Sequence, residues 1–364
     1  MLIGVDAGCL GVKDERLKTG VFRLSYNLLL ELSLSDKEND YLLYSFYPLE
    51  TKYLSELGER FKNIVISPPK GFLTIRLPLE FLRRKPDIFL ALGQAIPPYH
   101  PFKTLGFIYD IAFERSPEDY GSGYKKISVN TRNLVKSADK IITISKSSAL
   151  DISRFYRIKE EKLKVLYPGT DRKTFKNTGK TYKSKKPYFL FVGSLKKTKN
   201  VPRIIEAFHL FLSEESADVN FILAGSHYWM DRDIEKIVKE FNLEERVIMR
   251  GMVDDKELAE LYRGAVALVT PAKSEGFGLP IMEAFATGCP VITSRTGAMG
   301  EIAEGNAIIV DPDETDKIAE AMKKIFNDKK LRHSLMSKGL VKAVTFTWRR
   351  FAEGVYEEME KLRK

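Results

Sequence analysis

The sequence predicts an α/β protein built from parallel sheets in two domains, and three observations carry that prediction. Short apolar runs of strand length alternate with helical patterns along the whole chain, the order that parallel strands joined by crossover helices require. Runs such as Tyr188 to Gly193 and Ala265 to Thr270 read as strands buried on both faces. The chain has 364 residues, more than one core of ordinary size holds.

In order, Leu2 to Val5 is strand-like, Ala7 to Thr19 reads as a long charged loop, and Gly20 precedes a helical pattern from Val21 to Leu34. Further strands are predicted at Tyr41–Phe46, Asn63–Ile66, Ile88–Ala91, Thr104–Tyr109 and Lys140–Ile144, with helices at Asn130–Ser137 and Ser147–Phe155. Glu114 to Lys126, with Pro117, Gly121 and Gly123, reads as a mobile loop. A lysine-rich run bearing Gly and Pro, residues 171–187, is the expected linker between a first domain (1–170) and a second (188–346). In the second domain the strand Tyr188–Gly193 is followed by a helix from Val201 to Glu214. Asn220–Gly225 and Val247–Val253 read as further strands and turns, and Ile281–Thr287 and Glu314–Asn327 as helices. Residues 347–364 form an amphipathic helix with Phe351, Val355, Met359 and Leu362 on compatible faces.

Composition narrows the class. A charged share of 30% and a hydrophobic share of 44% suit a soluble globular protein, and every long apolar run is broken by charge, so no transmembrane span is expected. Met1 to Asp6 lacks a basic n-region and reads as a first strand rather than a signal peptide. Two cysteines, Cys9 and Cys289, suggest no disulfide framework and fit a reducing cytoplasm. Gln94 is the one glutamine among plentiful Lys and Glu, a balance that leans toward a thermophilic source. The net charge of +10 has no nucleic-acid motif to accompany it, so nucleic acid is not an expected partner. Its sharpest concentrations are Arg83-Arg84-Lys85, after the apolar segment Phe72 to Leu82, and Arg172 to Lys186. A solvated surface is one account of them, and a lipid-facing edge that makes peripheral contact with the inner face of a membrane is the other.

The chemistry concentrates at Ala272-Lys273-Ser274-Glu275-Gly276-Phe277-Gly278-Leu279-Pro280-Ile281-Met282-Glu283. A buried strand precedes this stretch and a helix follows it, with Pro280 suited to the first turn and Gly288 to the end. A strand, a glycine-bearing loop and a helix N-terminus make an anion site, because unpaired N–H groups and the positive dipole end converge. Two carboxylates beside such a site suit a ligand that also carries hydroxyls. Phosphates and hydroxyls together describe a sugar nucleotide. The plain alternative is a capped helix with acidic residues near its positive end.

Glu275, seven intervening residues and Glu283, with the Gly-Phe-Gly-Leu-Pro filling, resemble the signature of retaining glycosyltransferases of the GT-B fold, glycosyltransferase family 4. The resemblance implies two Rossmann-like domains facing a cleft, the C-terminal helix returning to the first. It implies that Glu275 lies by the donor sugar and Glu283 holds the ribose hydroxyls, while N–H groups from Gly276 and Phe277 through Gly278 and Leu279 meet the phosphates. Gly193-Ser194, followed by Lys199 and Asn200, resembles the family's phosphate loop, in which Lys199 neutralises the departing phosphate. Many relatives have arginine at the Ser194 position. Met252 and Val253 match the turn that meets the base. Gly20 matches an N-terminal glycine loop or is a plain strand-to-helix turn, and Phe22 stands where a second glycine is usual. On the acceptor side the family's histidine is replaced by Tyr109, beside Asp110, which either orients an acceptor hydroxyl or caps a turn. Asp311-Pro312-Asp313 and Asp231-Arg232-Asp233 pair carboxylates but read as helix starts, so no metal and no cofactor beyond the donor is expected.

The resemblance implies transfer of a mannose- or glucose-type sugar from a GDP- or UDP-sugar to a glycan, lipid-linked or small-molecule acceptor. A non-catalytic sugar-nucleotide-binding subunit is the rival. A nucleotide-dependent dehydrogenase would need G-x-G-x-x-G after an early strand, and none is there.

Overall fold

A computed structural model describes residues 1–12, 14, 20–226 and 233–363. They form two compact units, residues 1–169 with 348–364, and residues 170–347.

In the first unit β1 (Leu2–Asp6) passes through a 3-10 turn at Gly8–Gly11, inside the expected loop, toward α1 (Gly20–Ser35). Then follow β2 (Asp40–Ser45), α2 (Thr51–Leu57), β3 (Phe61–Val65), a π-helical turn at Phe72–Arg76 and α3 (Leu77–Arg83). β4 (Ile88–Ala91), β5 (Lys103–Phe107), α4 (Ala112–Arg115), α5 (Tyr124–Ser137), β6 (Lys140–Thr143), α6 (Lys146–Tyr156) and β7 (Leu163–Val165) complete the sequence. The seven strands lie in the order β3-β2-β1-β4-β5-β6-β7, and every pairing is parallel. Ile3, Val5, Phe89 and Leu90 are buried, which is why these strands read as continuous apolar runs rather than alternating ones. Strand order reverses between β1 and β4, so loops from their carboxyl ends part in opposite directions and leave a crevice edge.

Residues 114–126, expected as a loop, are mostly helical: the end of α4, a 3-10 segment at Pro117–Gly123 and the start of α5. The reason is Glu114. Its buried carboxylate accepts hydrogen bonds from the hydroxyls of Tyr124 (3.1 Å), Ser128 (2.7 Å) and Tyr156 (3.0 Å), and Arg132 lies 3.3 Å away. Glycine and proline marked flexibility in the sequence, but one satisfied buried charge organises the segment. At the carboxyl end of β1, Asp6 is also buried and accepts from the Gly8 N–H at 3.1 Å.

The last helix, α14, belongs to this first unit and packs on α1; its bounds are Trp348–Arg363. Buried Glu358 fixes it, with Lys361 at 2.8 Å, Lys140 at 3.7 Å and Lys164 at 3.9 Å.

The second unit runs β8 (Tyr188–Val192), α7 (Val201–Glu215), β9 (Asn220–Ala224), α8 (Asp233–Glu240), β10 (Val247–Gly251), α9 (Asp255–Gly264) and β11 (Ala267–Thr270). It continues with α10 (Leu279–Thr287), β12 (Val291–Ser294), α11 (Ala298–Ala303), β13 (Ile308–Val310), α12 (Thr315–Asn327) and α13 (Lys329–Ala343). Its sheet order is β10-β9-β8-β11-β12-β13, again parallel, with the reversal between β8 and β11. Phe189 anchors the core, edge-on to Phe211 at 5.5 Å and to Phe208 at 6.4 Å. Such pairs add about 0.5–1.5 kcal/mol each beyond buried area. The expected linker, residues 171–187, lies within this unit. Phe175 is buried with its ring 6.1 Å from that of Tyr262, and Arg263 donates to the carbonyls of Lys176 (3.0 Å) and Lys180 (2.7 Å).

Two expectations follow from the buried carboxylates. Glu114→Ala strands three hydroxyls and Arg132 around a void, and urea unfolding should show a loss of about 3–5 kcal/mol. Glu114→Gln, which keeps the volume, should lose less. For Asp6, burial raises the pKa from its ordinary 3.8 to about 6, against the lowering effect of backbone N–H groups of Gly8 and Gly93. A carboxyl that holds its proton more tightly when folded favours the fold below pH 4, and this contribution is lost as pH rises to about 6. Melting temperatures of wild type should therefore fall relative to Asp6→Asn between pH 4 and 6.5. A difference that stays constant across that range would contradict the assignment.

Candidate active site

The site is built where the second sheet reverses. Loops from the carboxyl ends of β8 and β11 leave side by side, and open parallel sheets collect ligands at such a point. The β8 loop runs from Gly193 through Ser194 and a 3-10 turn, Lys197–Lys199, to Asn200, which opens α7 in a left-handed conformation (φ 63°). Asn200 is buried, and its Nδ2 donates to the Pro271 carbonyl at 3.1 Å and the Pro312 carbonyl at 2.6 Å. One amide therefore ties together the loops after β8, β11 and β13. The Lys273 N–H adds a second tie, donating to the Thr198 carbonyl at 3.0 Å.

Held in this way, Lys199 and Glu275 form an ion pair, each side chain about one-fifth exposed. Ser294 and Thr296 donate to the Ala272 carbonyl, both at 2.7 Å, and the Ala298 N–H reaches the Glu275 carbonyl at 3.3 Å, so the β11 loop is braced from α11 as well. Gly278 opens α10 at φ 99°, a conformation that glycine adopts without a Cβ clash. The first turn of α10 carries Pro280 and no acidic side chain, so its positive end faces the loop unneutralised from within. Phe277 is buried with its ring 6.0 Å from that of Phe346. Glu283, one turn into α10, is buried, and its Oε2 accepts from the Tyr262 hydroxyl at 3.0 Å.

Gly193, Gly225 and Gly251 close β8, β9 and β10 in a row. The Gly225 N–H donates to the Gly251 carbonyl at 2.8 Å, and the Gly193 N–H to the Ala224 carbonyl at 3.0 Å. A Cβ on Gly225 would overlap the Gly193 carbonyl oxygen, so the backbones meet here with no room for a side chain. Met252, exposed, and Val253 follow this row beyond β10.

The structure thus brings Gly193, Ser194, Lys199, Glu275, Gly276, Phe277, Gly278 and Leu279 to one edge of one sheet, with Glu283 beneath them and Met252 and Val253 along the same edge. Gly20 and Asp110 belong to the first unit. Gly20 is exposed at the start of α1, and Thr19 before it lies outside the described residues. Asp110 caps a turn: its Oδ1 accepts from the Ala112 N–H at 3.0 Å. Tyr109 is buried, donates its hydroxyl to the Leu92 carbonyl at 2.7 Å, and is held protonated well above the usual phenol range by burial. Gln94, which the sequence marked only by its rarity, proves central here. Its Nε2 donates to the Asp110 carbonyl and to Thr131, both at 3.2 Å, and its Oε1 accepts from the Tyr109 N–H at 3.4 Å.

Asp311 accepts from the Asp313 N–H at 2.8 Å, and Lys273 lies 2.8 Å from Asp313, holding it below the usual carboxylate range. Those two acids are engaged in a turn and an ion pair. Asp231 and Arg232 lie outside the described residues. Among the described residues no three metal-ligating side chains cluster. Tyr262 was missed because α9 was not expected, although Asp254, whose side chain accepts from the Glu257 N–H at 2.8 Å, opens it with a readable cap.

Residues 172–340 match the family described as Glycosyl transferases group 1. O-antigen chain mannosyltransferase B of Escherichia coli is 23% identical over 293 residues, covering 78% of this chain and 75% of that protein. O-antigen chain mannosyltransferase RfbU of Salmonella typhimurium is 30% identical over 191 residues, and the match spans about half of each chain, 52%. In three dimensions, sucrose-phosphate synthase from Thermosynechococcus elongatus superposes with a TM-score of 0.82 at 18% identity, covering 99% of this chain and 98% of that one. The segment that matches the family holds Lys199, Glu275 and Glu283 together at the β8–β11 reversal. Residues 172–340 therefore match a group 1 glycosyltransferase domain, and the chain has the fold of GT-B glycosyltransferases.

Proposed function

We propose that the protein moves a hexose from a nucleotide-sugar donor to an acceptor hydroxyl with retention at the anomeric carbon. The observation that supports this reading best is the Lys199–Glu275 ion pair at the sheet reversal. A cation and a carboxylate that neutralise each other are what a sugar diphosphate would separate. Its β-phosphate takes Lys199, and its sugar hydroxyls take Glu275. The acceptor oxygen bonds to the anomeric carbon as the bond to the phosphate oxygen breaks, and the acceptor proton passes to the departing phosphate on the same face. Lys199 and the N-terminus of α10 stabilise the charge that develops on the leaving diphosphate, with no metal in that role. Glu283, oriented by Tyr262, accepts from the ribose. Met252 and Val253 meet the base through the backbone, and Asp110 orients the acceptor.

GDP-mannose is the preferred donor, because the Gly-Ser-Leu-x4-Asn wording from Gly193 to Asn200 resembles mannosyltransferases and two relatives carry that name. A UDP-sugar is the runner-up. The acceptor is a glycan, a lipid-linked sugar or a small molecule.

The test is a thermal-shift screen of nucleotide sugars, then mass spectrometry of products formed with the stabilising donor in EDTA. Lys199→Ala should stay folded and lower turnover about 10²–10³-fold. Glu283→Ala should weaken donor binding about tenfold to a hundredfold, the worth of a hydrogen bond to a charged group. Calorimetric affinities and rates equal to wild type in both variants would overturn the assignment. Donor binding with no transfer to any acceptor would mark a binding subunit instead, and activity that only magnesium or manganese restores would overturn the metal-free role.

On the acceptor side, the Tyr109 hydroxyl is committed to the Leu92 carbonyl. Tyr109→Phe should therefore cost about 0.5–1.5 kcal/mol of stability and leave kcat within a few-fold of wild type. Asp110→Asn should lower kcat/KM for the acceptor more. Steady-state kinetics showing the reverse order would give Tyr109 a chemical role.

A further inference from the structure

The π-helical turn at Phe72–Arg76 and the helix α3 that continues it are apolar on two faces. Phe72, Leu77 and Phe81 point inward and belong to the core of the first unit. Ile75, Leu79 and Leu82, spaced i, i+4 and i+7, form a line on the other side and are 61%, 56% and 67% exposed. Single exposed aliphatic side chains are ordinary, but three in line on one helix face mark an interaction surface. The flanks are basic. Residues 66–86 include Lys70, Arg76, Arg83, Arg84 and Lys85 against one acid, Glu80, which lies 3.5 Å from Arg84 and 4.0 Å from Arg83.

We propose that this face docks on an anionic lipid surface, with Ile75, Leu79 and Leu82 entering the headgroup–acyl boundary and the basic fringe meeting lipid phosphates. An apolar line bordered by cations is the pattern that lies in a membrane interface. Charge selects this occupant over a second copy of the chain, because a two-fold contact through this face would bring one basic fringe against its equal. The contact is peripheral: among the described residues no helix is long and apolar enough to cross a membrane. Ile75, Leu79 and Leu82 belong to the first unit and the proposed donor site to the second, so docking and donor binding can be assayed separately.

Sedimentation of the purified protein with phosphatidylcholine vesicles, with and without phosphatidylglycerol, tests the proposal. Wild type should partition onto the phosphatidylglycerol vesicles and lose most of that binding at high salt. The triple variant Ile75→Ser, Leu79→Ser, Leu82→Ser should bind at least tenfold less. Arg83→Gln, Arg84→Gln, Lys85→Gln should bind about a hundredfold less, near fivefold per cation removed. All six positions are exposed, so circular dichroism and donor-induced thermal shift should match wild type. Wild type left in the supernatant, or binding unchanged in both variants, overturns the proposal. So does a wild-type dimer in light scattering that the serine variant dissolves, which would assign the face to a second copy.

Discussion

The amide of Asn200 is the constraint on which the candidate site depends. A parallel sheet delivers its loops to one edge, but it does not fix how loops from different strands meet there. Asn200 does this by adopting a left-handed backbone that most side chains avoid and by donating to carbonyls 71 and 112 residues further along the chain. The lysine loop and the carboxylate loop are then held together, and Lys199 and Glu275 pair as a consequence. Preorganisation of this kind lets electrostatics act on a leaving group without a reorganisation cost at the moment of reaction. In the proposed reaction, the energy that separates the pair comes from the donor's own charges.

The two units carry their polar networks differently. In the second, buried and half-buried polar groups cluster at the strand ends and brace loops that present charge: Asn200, Ser294, Thr296 and the Tyr262–Glu283 pair. In the first, Glu114, Gln94 and Tyr109 hold the chain around Asp110, and their hydrogen bonds are made within the protein. Tyr109 shows the contrast, since its hydroxyl bonds to the Leu92 carbonyl in the turn after β4 and its ring is buried.

Much of the fold was legible because fully buried parallel strands leave long unbroken apolar runs, as at Tyr188–Val192 and Ala267–Thr270, and because glycine and proline punctuate their ends. The β11 loop was legible for a local reason: its charges, glycines and helix start are consecutive in the chain. What was not legible depends on distant partners. Glu114 looked like one acid in a loop of glycines and proline, and only Tyr124, Ser128 and Tyr156 arriving around it make the segment helical. Tyr262 carries no mark of its partnership with Glu283, which lies 21 residues on. Short strands such as Ile308–Val310 carry too few residues for periodicity to speak. The lysine-rich stretch 171–187 reads as a tether by composition, yet Phe175 and the carbonyls that Arg263 gathers fasten it to the second unit.

The helix α14 has a consequence for how the chain is made. It completes the first unit, with Glu358 settling among lysines from β6 and β7, yet 178 residues of the second unit, 170–347, are synthesised before it. As the chain leaves the ribosome, the sheet of the first unit can assemble while the flank of α1 that α14 will cover still faces water. The second unit has all its strands in one continuous segment and can close without waiting. Vectorial synthesis therefore gives the later-made unit the earlier completion. The nascent first unit must keep an apolar flank away from other chains until its own last helix returns.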